Sequence, residues 1–191
     1  MQTCGLTSDG TAYCWGGNDF GSLGDSTTIS RNVPTAVAGG LKFAAIAAGA
    51  YHTCAITADG AAYCWGNNIS GELGDSSGTT QQDVPVAVHS GGVLFTAIDG
   101  GFNHTCAIAT SSQVYCWGAN DNGQVGPNGS SAAYVPVLVG LTGTAVVAGG
   151  FHSCALTSDG AYCWGYNQLG QLGAGSSVLQ SATPLRVSGQ P

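Results

Sequence analysis

One motif written four times constrains this chain more than any other feature. TCGLTSDGTAYCWGGNDFGSLG occupies Thr3–Gly24 and TCAITADGAAYCWGNNISGELG occupies Thr53–Gly74. TCAIATSSQVYCWGANDNGQVG follows at Thr105–Gly126 and SCALTSDGAYCWGYNQLGQLG at Ser153–Gly173. Trp15, Trp65, Trp117 and Trp164 are separated by 50, 52 and 47 residues. Each copy leads into a Ser/Thr/Gly/Asn-rich stretch and a Pro-led segment, VPTAV, VPVAV, VPVLV or TPLRV. Three units continue into small apolar segments, FAAIAAG, FTAIDGG and TAVVAGG. A period near 50 with about four short strands per period is the pattern of propeller blades, whereas leucine-rich, ankyrin and helical-pair repeats are shorter. With 32 Gly and 6 Pro in 191 residues, long helices are disfavoured. The expected fold is all-β, a single array of antiparallel blades over 1–191, with units near 1–40, 41–90, 91–139 and 140–191.

The hairpin inside each copy is the best-specified element. In the first, Cys4–Thr7 and Thr11–Trp15 flank Ser8-Asp9-Gly10, a three-residue loop whose glycine suits a left-handed closing position. Counting outward, Thr7 faces Thr11, Leu6 faces Ala12, Gly5 faces Tyr13 and Cys4 faces Cys14. Alternation from a hydrogen-bonded closing pair makes the cysteines a non-hydrogen-bonded pair, whose Cα atoms approach to about 4.5 Å. That is near the short end of the disulfide range. The same count pairs Cys54 with Cys64 and Cys106 with Cys116. The third turn, Thr110-Ser111-Ser112, has no glycine for the left-handed position. The fourth copy has one residue fewer between Cys154 and Cys163, so that bridge requires a tightened turn or a bulge.

All 8 cysteines fall into these local pairs. Their even count, register and repetition point to four cross-strand disulfides, with buried thiols and a zinc site as the alternatives. Zinc ligands are usually spaced two to four residues apart within a motif, a spacing these cysteines lack. Disulfides imply an oxidising, extracellular, cell-surface or periplasmic setting. MQTCGLTSDG has neither the basic start nor the apolar stretch of a secretory signal. Three cations, Arg31, Lys42 and Arg186, stand against ten acids, for a net charge of −7. Nucleic-acid binding draws on clustered Lys and Arg, so that class of partner is excluded, as is electrostatic membrane attachment. No apolar run reaches the ~18 residues needed to insert a membrane helix.

A small-residue strand, Gly, an aromatic, His, an Asp-Gly hairpin and Trp-Gly-x-Asn-x-x-Gly-x-Leu-Gly run in order through YHTCAITADGAAYCWGNNISGELG. In this the chain resembles the regulator-of-chromosome-condensation repeat family of β-propellers, over nearly its whole length. The cysteine pairs resemble an extracellular or bacterial-like variant of that family. The resemblance implies rings of about seven blades, hence roughly 350 residues, so an incomplete ring or fragment is expected. A self-associating half-ring and an unusual small ring are the alternatives. Its members include an exchange factor for a small GTPase, a photoreceptor and a secreted bacterial inhibitor of β-lactamases, so the fold does not give the function.

His52, His104 and His152 recur two residues before a cysteine, with Gln2 at that place in the first unit. Convergence of such copies on a metal is conceivable, but a structural role, each imidazole bonding backbone at a blade junction, is the stronger reading. His89 belongs to a solvent-facing loop. The four tryptophans are expected to pack between blades and to find a partner for the indole N–H. Asn18, Asn68, Asn120 and Asn167, with the glycines that follow them, are expected to be turn residues that let the backbone enter left-handed conformations. Asp121–Gly123 lacks the spaced carboxylates of a calcium loop. Sequons stand at Asn68, Asn103 and Asn128. No singular acid–base pair stands out, and no catalytic residue, cofactor or metal is assigned.

The non-repeated stretches are where individual function belongs. Asp25 and Arg31, Asp75, Gln81 and Asp83, Asn128 and Tyr134, and Gln180 are the candidate binding-loop residues. The expected function is a non-enzymatic scaffold displaying those loops to a protein, or to a surface glycan. An intracellular regulator of the GTPase-exchange type is the alternative, and an enzyme built on a propeller the third.

Overall fold

The computed structural model describes residues 1–127, 129–175 and 177–190. Among them fifteen strands form four antiparallel sheets and there is no helix. Blade 1 is β1 (Gln2–Leu6), β2 (Ala12–Gly16) and β3 (Arg31–Ala36). Blade 2 is β4 (Phe43–Ala48), β5 (His52–Thr57), β6 (Ala62–Asn67) and β7 (Gln81–Ala87). Blade 3 is β8 (Phe95–Gly100), β9 (His104–Ala109), β10 (Gln113–Ala119) and β11 (Ala132–Thr142). Blade 4 is β12 (Ala145–Ala148), β13 (His152–Thr157), β14 (Gly160–Tyr166) and β15 (Gln180–Arg186).

Strands in each sheet follow chain order. The small-residue strands β4, β8 and β12 lie side by side on the inner side of the array. Blade 1 has three strands because Met1-Gln2 stands where the other units carry that inner segment. Cys4 pairs with Cys14, Gly5 with Tyr13 and Leu6 with Ala12, as counted from the turn. Cys54 opposes Cys64 and Cys106 opposes Cys116 in the same way. All four bridges are formed, with Cα separations of 4.0–4.1 Å. The shorter fourth hairpin keeps its register by closing a residue earlier, with Thr157 paired to Gly160. In the third turn Ser112 takes the left-handed position itself, at φ 66°. Non-glycine residues pay roughly 1 kcal/mol for that conformation.

Antiparallel order puts two kinds of connection at opposite ends of the array. The hairpin turns (7–11, 57–61, 109–113 and 157–160) lie at one end, here the hairpin end. The short links preceding each histidine and the long segments after each Trp-Gly lie at the other, here the loop end. The core runs between blades, with Trp65, Trp117 and Trp164 fully buried and Phe43 and Phe95 tilted against Trp65 and Trp117 at 5.9 and 6.0 Å.

Candidate functional site

Every blade junction is closed by the same three-part latch. The main-chain oxygens of Ser22, Glu72 and Gln124, one per loop, each accept the indole N–H of the following blade, from Trp65, Trp117 and Trp164, at 2.9–3.0 Å. Each also accepts a hydroxyl of that blade, from Thr53, Thr105 and Ser153, at 2.8–2.9 Å. Behind each hydroxyl stands a side chain of the preceding blade: Gln2 Nε2 at 3.3 Å, His52 Nε2 at 2.9 Å and His104 Nε2 at 2.9 Å. A hydroxyl carries one proton, and here it goes to the carbonyl, so the imidazole must donate from Nε2. The His52 and His104 imidazoles thus meet the loop carbonyl through a hydroxyl of the next blade, while His104 also bonds the backbone of His152 and Gln2 donates directly to the His52 carbonyl at 2.8 Å.

Donation from Nε2 leaves Nδ1 bare, and Nδ1 of both His52 and His104 is buried without a partner. Burial depresses both histidines, His52 to about 4 and His104, with the two flanking imidazoles adding to the effect, to about 3. They are neutral at physiological pH. Gly49 and Gly101 pass directly over these rings; a Cβ on either would lie 2.5 or 2.3 Å from the imidazole Cε1. His152 is half-buried, and burial lowers its pKa in turn. Among the described residues no three His, Cys, Asp or Glu side chains come together as a metal site.

The latch carbonyls open the loop-end segments, which the repeated asparagines hold in shape. Asn18 Oδ1 accepts Leu23 N–H at 2.9 Å while its amide donates to Thr27 O and Ile29 O. Asn68, Asn120 and Asn167 accept from Leu73, Val125 and Leu172 in the same way. None of the four has a positive φ. The turns enter left-handed backbone at the glycines three residues on, Gly21, Gly71, Gly123 and Gly170, each donating its N–H to the asparagine carbonyl, while the asparagine side chains brace the loops.

Of the candidate loop residues, Asp25 and Arg31 come together as an ion pair at 2.7 Å. Burial works against the Asp25 carboxylate, but Thr27 and the Arg31 guanidinium outweigh it and hold its pKa below the usual range. Asp75 repeats the arrangement with neutral partners, Ser77 at 2.7 Å and Asn68 at 3.1 Å. Asp83 and Tyr134 lie against Gly21 and Gly71, so blades 2 and 3 each buttress the loop of the blade before. Gln81 is exposed at the start of β7. Gln180 lines a groove of about 340 Å³ with Asn120 and Asp121. Asn128 lies outside the described residues. His89 is exposed.

Sequence reasoning missed a row of aromatic rings at the loop end. Phe20, Tyr51, Phe102, Phe151 and Tyr166 meet in succession with centroid separations of 5.4, 5.4, 5.4 and 6.4 Å. The row crosses all four blades and belongs to neither buried core cluster. Phe102 also lines a mouth of about 390 Å³ floored by the small residues Ala48–Ala50, Gly100–Gly101 and Ala148–Gly150. Three of the rings, Tyr51, Phe102 and Phe151, stand two or three residues beyond the ends of the inner strands, at the aromatic position of the repeat motif.

Comparison with known proteins places the geometry in context. The profile of the regulator of chromosome condensation (RCC1) repeat matches residues 9–56, 59–108 and 111–156. Human E3 ubiquitin-protein ligase HERC2 is 33% identical over 163 residues, 82% of this chain and 3% of HERC2. The crystal structure of human WBSCR16 superposes with a TM-score of 0.88 at 26% identity, covering 98% of this chain and 50% of that one. Yeast RCC1 (Prp20), solved bound to Kap60, superposes at 0.85 and 23% identity, covering 97% of this chain and 46% of its own. The chain thus spans half or less of the length of each of these proteins.

Proposed function

Because this chain belongs to the regulator of chromosome condensation (RCC1) repeat family, we propose that it serves as a non-enzymatic, disulfide-stapled propeller scaffold whose loop end engages a protein partner. The observation that carries this reading is the bracing of the loop end. The segments that vary between repeats are fixed by the asparagines that do not, and by the outer strand of the next blade. Pre-ordered loops lose little conformational freedom on binding, so more of the contact energy becomes affinity. Yeast RCC1, a protein with this fold, is itself bound to a protein, Kap60, in its crystal structure.

A photo-crosslinking residue at Tyr134 or Gln180 tests the assignment against one at Ser8 in a hairpin turn, using extract or culture medium of the source organism. The expected result is a discrete adduct from the loop-end positions only; adducts of equal yield from Ser8 would overturn it. The four bridges support placement in an oxidising compartment, outside the cell or at its surface. Thiol titration of freshly isolated, denatured, unreduced protein should find essentially no free thiol. A count near the full cysteine complement would overturn the extracellular placement and favour the intracellular exchange-regulator reading.

A further inference from the structure

We propose that the aromatic row is a docking surface for an arginine-rich segment of a protein partner. The inference rests on the reading that the loop end binds protein and adds the chemistry of what is bound. The first observation is that the row lies outside both buried core clusters. Its rings contact one another across blade boundaries, and Tyr51 and Phe151 remain 37% and 45% exposed. Exposed aromatics that run together in this way mark interaction surfaces.

The second observation fixes the occupant. Asp19 stands beside Phe20 in the loop-end segment of blade 1, and Asp121 holds the matching position after Asn120 in blade 3, where it lines the groove with Gln180. Among the described residues Arg31 is the one lysine or arginine there, and it is engaged by Asp25. The other two cations are at the hairpin end: Lys42 pairs with Asp9 at 2.7 Å, and Arg186 donates to the Asp159 carbonyl at 2.8 Å. An acidic partner would be repelled from this face, and a purely apolar one would leave its carboxylates to be desolvated without compensation. A guanidinium satisfies both features, because it stacks on a ring face while its N–H groups pair with carboxylate oxygens. An ammonium does the second and only weakly the first. The floor of alanines and glycines lets the main chain of such a segment approach closely.

Fluorescence anisotropy with a labelled twelve-residue peptide of alternating Arg and Ser tests the proposal. Peptides with Lys or citrulline in place of Arg serve as comparisons. The expected order is Arg tighter than Lys by about fivefold, with citrulline failing to bind. The double variant Tyr51→Ala/Phe151→Ala should weaken the Arg peptide about tenfold, its fold being checked by an unchanged melting temperature. Asp19→Asn/Asp121→Asn should weaken it about fivefold, and Asp59→Asn at the hairpin end should leave it unchanged. Equal binding of the Arg and Lys peptides, equal effects of Asp19→Asn and Asp59→Asn, or wild-type affinity in the aromatic variant would each overturn the proposal. Loss of peptide binding with Tyr134 crosslinks intact would sink this inference alone; loss of those crosslinks would sink the broader reading.

Discussion

Blades 2 and 3 differ from blades 1 and 4 in what surrounds a nearly identical motif. His52 and His104 are wholly buried, and each is engaged by the blade that follows; His152 carries the same sequence context but is half exposed. Trp65 and Trp117 are completely buried, whereas Trp15 retains solvent contact. In blade 4 Val147 and Leu156 are 56% and 49% exposed, while Ile98 and Ile108 of blade 3 are partly and fully buried. The same residues therefore become core or surface according to their neighbours. Stability in such an array is a sum of blade terms and junction terms, and the junction terms here are concentrated in the latch.

The largest expected difference is in the tryptophans. Trp117→Ala should cost about 3–5 kcal/mol in urea unfolding, and Trp15→Ala about 1 kcal/mol. Similar losses would mean that the junctions do not dominate.

Next comes pH. His52 and His104 titrate at 6.5 when unfolded but at about 4 and about 3 when folded. As pH falls from 6.5 toward 4, the unfolded chain takes up protons that the folded chain refuses, so stability drops. Each histidine should contribute up to about 1.4 kcal/mol per pH unit in that window. Loss of aspartate stabilisation belongs below it, because those pKa values are lowered from 3.8. Gln2 already replaces the imidazole at the first junction. His104→Gln should accordingly keep neutral-pH stability within about 1 kcal/mol and remove about half of the slope. His152→Gln should change the slope far less. An unaltered slope in His104→Gln would refute the latch assignment.

Glu72 gives a smaller effect. Burial raises its pKa, and Gln124 and Gln171 occupy its position in the next two blades. Glu72 accepts Ser70 N–H at 2.8 Å, and Asn67, whose amide reaches its other oxygen, has its own Oδ1 unpartnered. Glu72→Gln should therefore stabilise the protein by about 1 kcal/mol at neutral pH, since an amide can donate to Asn67 Oδ1 after that side chain flips. The gain should vanish well below pH 4.5, where the acid is already protonated in both states.

Reduction provides the mildest contrast. Cys4 and Cys154 are partly exposed, whereas Cys54, Cys64, Cys106 and Cys116 are sealed. Timed reduction followed by alkylation and mass spectrometry should label the outer bridges several-fold sooner. Simultaneous labelling would show that the whole array opens together.

The hairpins were legible because period-two alternation from a known turn leaves one register, and that register put each cysteine opposite its mate. The three-stranded first blade was legible because its missing segment could be named from the other units. The latch was not, because Thr53, Thr105 and Ser153 look like ordinary strand residues until the neighbouring blade is present. The aromatic row was hidden by spacing: Asn103 separates Phe102 from His104, while Tyr51 and Phe151 directly precede theirs. Only the curvature of the array brings those rings into line.

One stretch of some twenty residues carries both a plug, the Thr or Ser and Trp that reach backward, and a socket, the loop carbonyl that receives the next pair. A tandem duplication of the whole repeat that contains this stretch supplies a matched joint in a single event. Arrays of this kind can grow, shrink or exchange members by recombination without any compensating change, leaving the intervening loops free to diverge.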